Sequence, residues 1–436
     1  MRMRAIADLR ALWPLVGYRR LLAVRLVSQL ADGMFQVGLA TVFFFSPQNA
    51  STAVGVAAAF AVLLLPFTLV GPFAGVFLDR WRRRQVLVVG NAVRVGFTLA
   101  TAALMVTAGV GPGVYVLALV TLSLNRYLLA ALSASLPRVV DDDLLLTANA
   151  VTPTLGTVAA FVGSGLGFVI GRLLPAGQGR DALALVVAAG VMAAASALAL
   201  RLGRDQLGPD EPVTTSLRGS FAAVTHDLAA AARYLVERRT PAAALGAMAW
   251  ARLCYGMVFV AAILISRNLL ADPADSDAGL TTFAAVLGAT AVGFALAMVV
   301  TPVLGRRTGP QRWIVVCLLC SAATQVLLVV SVALPAVLAA AALLGLAAQG
   351  TKIAADTIVQ RDTRDEVRGR AFALYDVLYN GASVVAAAIA AVVLPDNGWS
   401  RPVLAVLAVA YVVGALAYGR TATEPAPARA TEAVIA

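Results

Sequence analysis

Asp32 is a lone carboxylate in an otherwise apolar stretch, with Gln29 and Gln36 one helical turn to either side on the same face. Arg126, in the apolar run LNRYLLAALSA, offers the opposite charge, and the two are expected to pair. Further along, Gln349, Lys352 and Asp356 share a face, and the four-residue spacing of the last two lets them neutralise each other. Asp376 and Asn380 repeat that spacing in YDVLYNGAS, and Arg252 stands inside another apolar run. A carboxylate in a low-dielectric setting gains or loses a proton as its surroundings open and close, and a nearby arginine opposes protonation. These residue types suit carrying a proton and holding a polar solute. Bond-making chemistry is not written here: the chain has no G-x-x-x-x-G-K-S/T phosphate loop, zinc-binding helix pattern, nucleophile elbow or paired histidines. The sequence therefore points away from an ATP-driven pump, a metal site, an enzyme or any cofactor. Cys317 and Cys320, like Cys254, fall in apolar runs and read as packing.

The elements that hold these residues follow from composition. Hydrophobic residues are 60% of the 436 and charged ones only 13%, and apolar runs long enough to cross a bilayer recur throughout. This predicts an all-α membrane protein with twelve spans, at about 21–45, 53–78, 86–108, 114–136, 150–171, 182–202, 242–265, 280–304, 313–333, 336–358, 371–394 and 402–418. Alternate loops are rich in arginine and the others are short, neutral or acidic, which places both termini in the cytoplasm. The same topology accounts for the net charge of +11, so nucleic acid is not an expected partner. The N-terminal arginines precede a span too long for a signal-peptide core. Arg25 and Arg94 lie nearer the cytoplasm and are expected to snorkel.

The expected organisation is a six-helix bundle over 1–202, a linker over 203–241, a second bundle over 242–418 and a disordered tail over 419–436. In the linker, Leu217, Phe221, Val224, Leu228, Ala232 and Leu235 recur at helical spacing opposite Arg218, Asp227, Arg233 and Glu237, predicting an amphipathic surface helix. His226, the only histidine, falls on that linker and reads as a solvated polar residue. A shift of 223 residues superposes Gly33-Met34 on Gly256-Met257, Arg138 on Arg361 and Asp142 on Asp365, so the halves are same-direction repeats.

The stretch GPFAGVFLDRWRRR ends one apolar run and precedes the next, so it is a cytoplasmic turn. Gly71 and Gly75, on one helical face, let a neighbouring helix approach closely, and Gly75, Asp79, Arg80, Arg83 and Arg84 resemble the signature loop between the second and third helices of the major facilitator superfamily, with Arg82 where that family usually has glycine. The resemblance implies twelve transmembrane helices as two six-helix bundles, and a loop that latches the halves on the cytoplasmic side through its acid. Arg126 resembles the family's fourth-helix arginine that supports the proton site. The run KIAADTIVQRDTRDEVRGRAFALYD is similar to the loop between the tenth and eleventh helices in exporters of the enterobactin-exporter-like, drug–proton antiporter branch. Gly163, Gly167 and Gly171 form a stripe expected to pack against the eighth span, without the proline that antiporters of the family usually carry there.

These features imply a monomeric secondary active transporter in a bacterial plasma membrane, exporting a small amphipathic organic compound against protons. Asp32 and Arg126 would couple the proton, while Gln29, Gln36, Arg252, Gln349, Lys352, Asp356, Asp376 and Asn380 would line the substrate cavity. Tyr127, Trp250, Tyr255, Tyr375 and Tyr379 are candidates for its aromatic walls. An importer or facilitator of the same fold, and a membrane sensor that transports nothing, are the alternatives.

Overall fold

The computed structural model describes residues 11–40, 43–44, 52–69, 73, 77–78, 80–170, 178–209, 217–273 and 275–423. In these, the chain forms α1 (Val16–Ala40), α2 (Ala53–Leu69), α3 (Arg83–Ala108), α4 (Pro112–Ser135), α5 (Asp142–Ile170) and α6 (Gln178–Ala199). It continues through α7 (Leu217–Arg238), α8 (Thr240–Asn268), α9 (Ser276–Thr308), α10 (Pro310–Val330), α11 (Leu334–Asp362), α12 (Asp365–Val393) and α13 (Arg401–Thr423). Local sequence sets many of these ends. Prolines open α4 and α10, where the missing N–H would have no partner in any case. Gly109 and Gly309, at φ 74° and 82°, turn the chain out of α3 and α9. Asp275 caps α9 by accepting from the main-chain N–H groups of Asp277 and Ala278 at 3.0 and 2.9 Å.

Ten described helices are long and apolar enough to cross a membrane. The other two expected spans are α1, which carries Arg19, Arg20, Arg25 and Asp32, and α2, apolar but described over only 17 residues. Several helices run past their apolar cores: α5 begins at Asp142 and α12 at Asp365, and α13 continues to Thr423 into the segment expected to be a disordered tail. A helix propagates through polar sequence once nucleated, so hydropathy alone sets its ends too tightly.

Contacts divide the chain into two compact units: residues 1–49 with 65–224, and 50–64 with 225–436. In the first, α1 packs on α4, α5 and α6, and α3 packs on α4 and α6. The second repeats this, with α8 on α11, α12 and α13, and α10 on α11 and α13. The shared register is visible in atoms. A Cβ at Gly33 would run into the main chain of α5 at Ala160, and one at Gly256 would meet Ala386 at 2.7 Å and Ser383 at 3.6 Å on α12. Ser383 is the shifted partner of Ala160. The start of α2 belongs to the second unit, where the Ala53 N–H donates to Asp396 at 2.9 Å and Phe60 stacks on Phe259 at 5.0 Å.

Gly163 and Gly167 face α1: a Cβ at the first would strike the Leu30 carbonyl, and one at the second would lie 3.0 Å from the Met34 Cα. Packing against the eighth span is therefore corrected to packing within the first unit, because backbone approach this close already uses the whole face. Gly171 lies outside the described residues.

In α7, Leu235 is buried and Val224, Leu228 and Ala232 are half-buried, while His226, Arg233 and Glu237 are exposed. Asp227 pairs with Arg370 at 3.6 Å.

Candidate functional site

Among the described residues, each unit holds a cluster of charged and polar side chains set among apolar helices. In the first, α3 carries Asn91, Arg94, Thr98 and Thr101 as a polar stripe, all four fully buried. Arg94 lies eleven residues into the helix, about 16 Å from its start at 1.5 Å per residue. Its Nη2 donates to Oδ1 of Asp32 on α1, and the side chains of the pair are 0% and 2% exposed. Nη1 lies 3.4 Å from Ser28 Oγ and 3.5 Å from Asn91 Oδ1. Ser28 donates to Asn91 Oδ1 at 3.3 Å, and Asn91 anchors itself by donating to the Leu87 carbonyl at 2.9 Å. Asn125 of α4 faces the same carboxylate. Two charges taken out of water demand this density of polar contacts, since their mutual attraction alone does not repay desolvation. Three buried atoms of this mesh stay outstanding among the described residues: Asp32 Oδ2, Arg94 Nε and Asn125 Oδ1 have no hydrogen-bond partner there, and Asp32 Oδ2 is the one that can take up a proton.

This arrangement corrects two expectations. Arg94 does not snorkel; it holds the place next to Asp32 that was expected for Arg126. Arg126 is half-buried on α4, whereas the polar stripe of α3 turns Arg94 toward α1. Arg25 is also buried, packed against Gly156, where a Cβ would lie 3.0 Å from its Nε. The signal for Arg94 was in the sequence, since positions 91, 94, 98 and 101 fall on one helical face. Of the glutamines flanking Asp32, Gln29 is half-buried and Gln36 exposed.

The second cluster joins α8, α11 and α12 around tyrosines. Arg252 Nε donates to Ser383 Oγ at 2.7 Å, and the guanidinium lies 4.4 Å from the Tyr379 ring centroid and 5.1 Å from that of Tyr255. Tyr379 and Tyr375 stack at 6.1 Å with planes 9° apart. At the far end of this wall Lys352 Nζ sits 5.2 Å from the Tyr375 centroid and bonds Asp356 Oδ2 at 3.0 Å, the pair expected from their spacing. The Tyr375 hydroxyl faces Asp356. Gln349 joins Arg252 and Tyr379 in lining one cavity of this unit. Asp376 is half-buried beside the wall, but Asn380 turns its amide onto the Asp376 main-chain carbonyl at 2.8 Å and so serves its own helix. Three of the five candidate aromatics therefore meet. Trp250 instead donates to the Ala410 carbonyl on α13 at 2.8 Å, and Tyr127 packs edge-on against Phe77.

Gly71, Gly75 and Asp79 of the turn before α3 lie outside the described residues. Arg83 and Arg84 bind main-chain carbonyls, among them ones that helix ends leave without partners. Arg83 donates to Ala134 at the end of α4 at 2.8 Å and to Leu207 at 3.2 Å, and Arg84 donates to Leu200 just past α6 at 3.0 Å. Arg80 donates to Ser220 at 3.0 Å. Arg82, at the position usually glycine, pairs with Asp205 at 3.2 Å.

Residues 251–435 match the family model described as Major Facilitator Superfamily. An uncharacterised MFS-type transporter of Mycobacterium bovis is 36% identical over 402 residues, covering 91% of this chain and 90% of that protein. Its Mycobacterium tuberculosis counterpart matches equally. The chain belongs to the major facilitator superfamily. Solved structures of transporters share the fold of this chain. A peptide transporter of the POT type aligns with a TM-score of 0.69 at 12% identity, covering 92% of this chain and 94% of that one. The nucleoside transporter NupG gives 0.64 at 12%, over 93% and 98%. A bacterial homologue of the iron transporter ferroportin gives 0.63 at 14%, again over 93% and 98%. The chain is thus a multi-pass membrane transporter and not an enzyme, and its fold implies a small-molecule substrate.

Proposed function

We propose that this transporter is a secondary active exporter of the enterobactin-exporter-like, drug–proton antiporter branch, which moves a small amphipathic organic compound outward as protons return. The observation that carries the reading is the unsatisfied Asp32 Oδ2, a buried carboxylate oxygen placed to accept a proton. Protonation there cancels the charge that Arg94 answers. The guanidinium keeps Ser28 and Asn91 as partners, and water entering an opened cavity would take up the rest. Deprotonation restores the pair. The wall of the second unit, from Arg252 to Lys352, supplies the substrate contacts in this reading. Residues 1–202 and 242–418 act as the two bundles, 203–241 as their link and 419–436 as a tail. Asp79, with Gly71 and Gly75, forms the cytoplasmic latch.

In this reading the protein works as a monomer in the bacterial plasma membrane, with both termini inside, the orientation that its arginine-rich loops favour. Cysteines introduced at Gly111 and Pro335 should react with impermeant thiol reagents from outside, and one at Arg218 should not. For direction and energy source, purified protein in vesicles with an imposed pH gradient is screened against a compound panel. Uphill solute movement that collapses with the gradient supports the exporter. Flux that follows solute concentration alone, indifferent to pH, assigns a facilitator instead.

A further inference from the structure

The two cations of the second cluster differ in how their charge is answered. Lys352 has Asp356 at 3.0 Å. Arg252 is half-buried twelve residues into α8, about 18 Å from its start at 1.5 Å per residue, and no carboxylate among the described residues pairs with it. An arginine this deep is costly unless something answers its charge. Its only protein hydrogen bond among the described residues is through Nε to Ser383, which leaves the two Nη nitrogens without an acceptor there. The Tyr255 and Tyr379 rings fix the guanidinium through cation–π contacts that orient it without neutralising it. A planar fork held in one orientation, with both terminal nitrogens unspent, matches a carboxylate or phosphate oxygen pair.

Tyr255 also lines a second cavity of the same unit, almost wholly apolar, with Val258, Phe259, Phe283, Val286 and Leu344 on its walls. Phe259 packs edge-on against Phe283 at 5.7 Å and lies 6.3 Å from Tyr255, so the aromatic surface is continuous from the guanidinium into the apolar space. One tyrosine therefore joins an unanswered cation to an apolar chamber.

We propose that the substrate is an amphipathic organic anion, its acidic group on the Arg252 fork and its apolar or aromatic body along the Tyr255, Phe259 and Phe283 surface at the mouth of the apolar cavity. This rests on the transporter reading for its use, but not for its existence as a binding site. The Lys352–Asp356 pair stays neutral and contributes surface more than charge.

Two probes of opposite charge and similar body, phenylbutyrate and phenylbutylamine, test it on purified full-length protein by calorimetric titration. Phenylbutyrate should bind and phenylbutylamine should not. Arg252→Gln should weaken phenylbutyrate by about ten- to a hundredfold, the range of a charge-assisted hydrogen bond. Arg252→Lys, which keeps the charge and loses the fork, should fall between and decides the matter if the glutamine variant does not fold. Val286→Trp, which fills the chamber, should weaken phenylbutyrate and leave acetate unchanged. Preference for the amine, failure of phenylbutyrate to bind, or undiminished binding in both Arg252 variants overturns the anion site. Binding through Arg252 without flux in vesicles would sink the exporter reading and leave the site standing. Flux of the amine unaffected by Arg252→Gln would do the reverse.

Discussion

Asp32–Arg94 and Lys352–Asp356 pair the same kinds of groups in two units built on one repeat, yet their surroundings are opposite. The first is sealed at 2% and 0% exposure within a mesh of Ser28 and Asn91; the second is 33% and 27% exposed against tyrosine faces. A sealed pair responds strongly to any change in its charge, because no water is at hand to compensate. A half-exposed pair exchanges protein for water contacts at little net cost. On the proposed reading, the sealed pair of the first unit is the part that senses protonation, and the second unit is the part that offers surface to a solute.

Breaking that comparison is a matter of single substitutions. Arg94→Ala should have the largest effect, lowering stability by about 3–5 kcal/mol because it strands a buried carboxylate. Thermal unfolding in detergent checks this, and the combined Asp32→Asn, Arg94→Gln protein should recover part of the loss. A melting temperature within a degree of the parent would show the pair is not sealed in the membrane.

Next in size are the glycines of the shared register. Gly33→Ala would drive a methyl into the Ala160 carbonyl of α5, a deeper overlap than the 2.7 Å at which Gly256→Ala would meet the Ala386 methyl. The Gly33 variant should therefore unfold at the lower temperature. An equal or reversed order would mean that the two helix contacts are equally adaptable.

Smallest is Lys352→Ala, expected to cost at most about 1 kcal/mol because the pair is partly solvated and spans one turn of a helix. A loss comparable to that of Arg94→Ala would erase the contrast between the units.

Much of this was legible in the sequence, and the failures have physical causes. Lys352 and Asp356 were readable together because both lie on one helix at a spacing that brings side chains into contact. Asp32 stood out as an acid in apolar sequence, but its partner comes from another helix, and depth alone does not say which arginine faces it. Arg94 was discounted for its distance from the membrane core, although its stripe-mates Asn91, Thr98 and Thr101 marked a buried polar face. The glycines at 163 and 167 announced close packing without naming the neighbour, which turned out to be α1. The sandwich around Arg252 needs Tyr379 and Ser383 from α12, more than a hundred residues away, and no local pattern encodes it.

The central claim is that Asp32 carries the coupling proton. Once a substrate is in hand, proton movement into vesicles, read by an internal pH dye on addition of that substrate, tests it most directly. The parent protein should show substrate-driven proton flux, and Asp32→Asn should show none while still exchanging labelled for unlabelled substrate. Proton flux at the parent rate in Asp32→Asn would contradict the account and move the proton to Asp356 or Asp376.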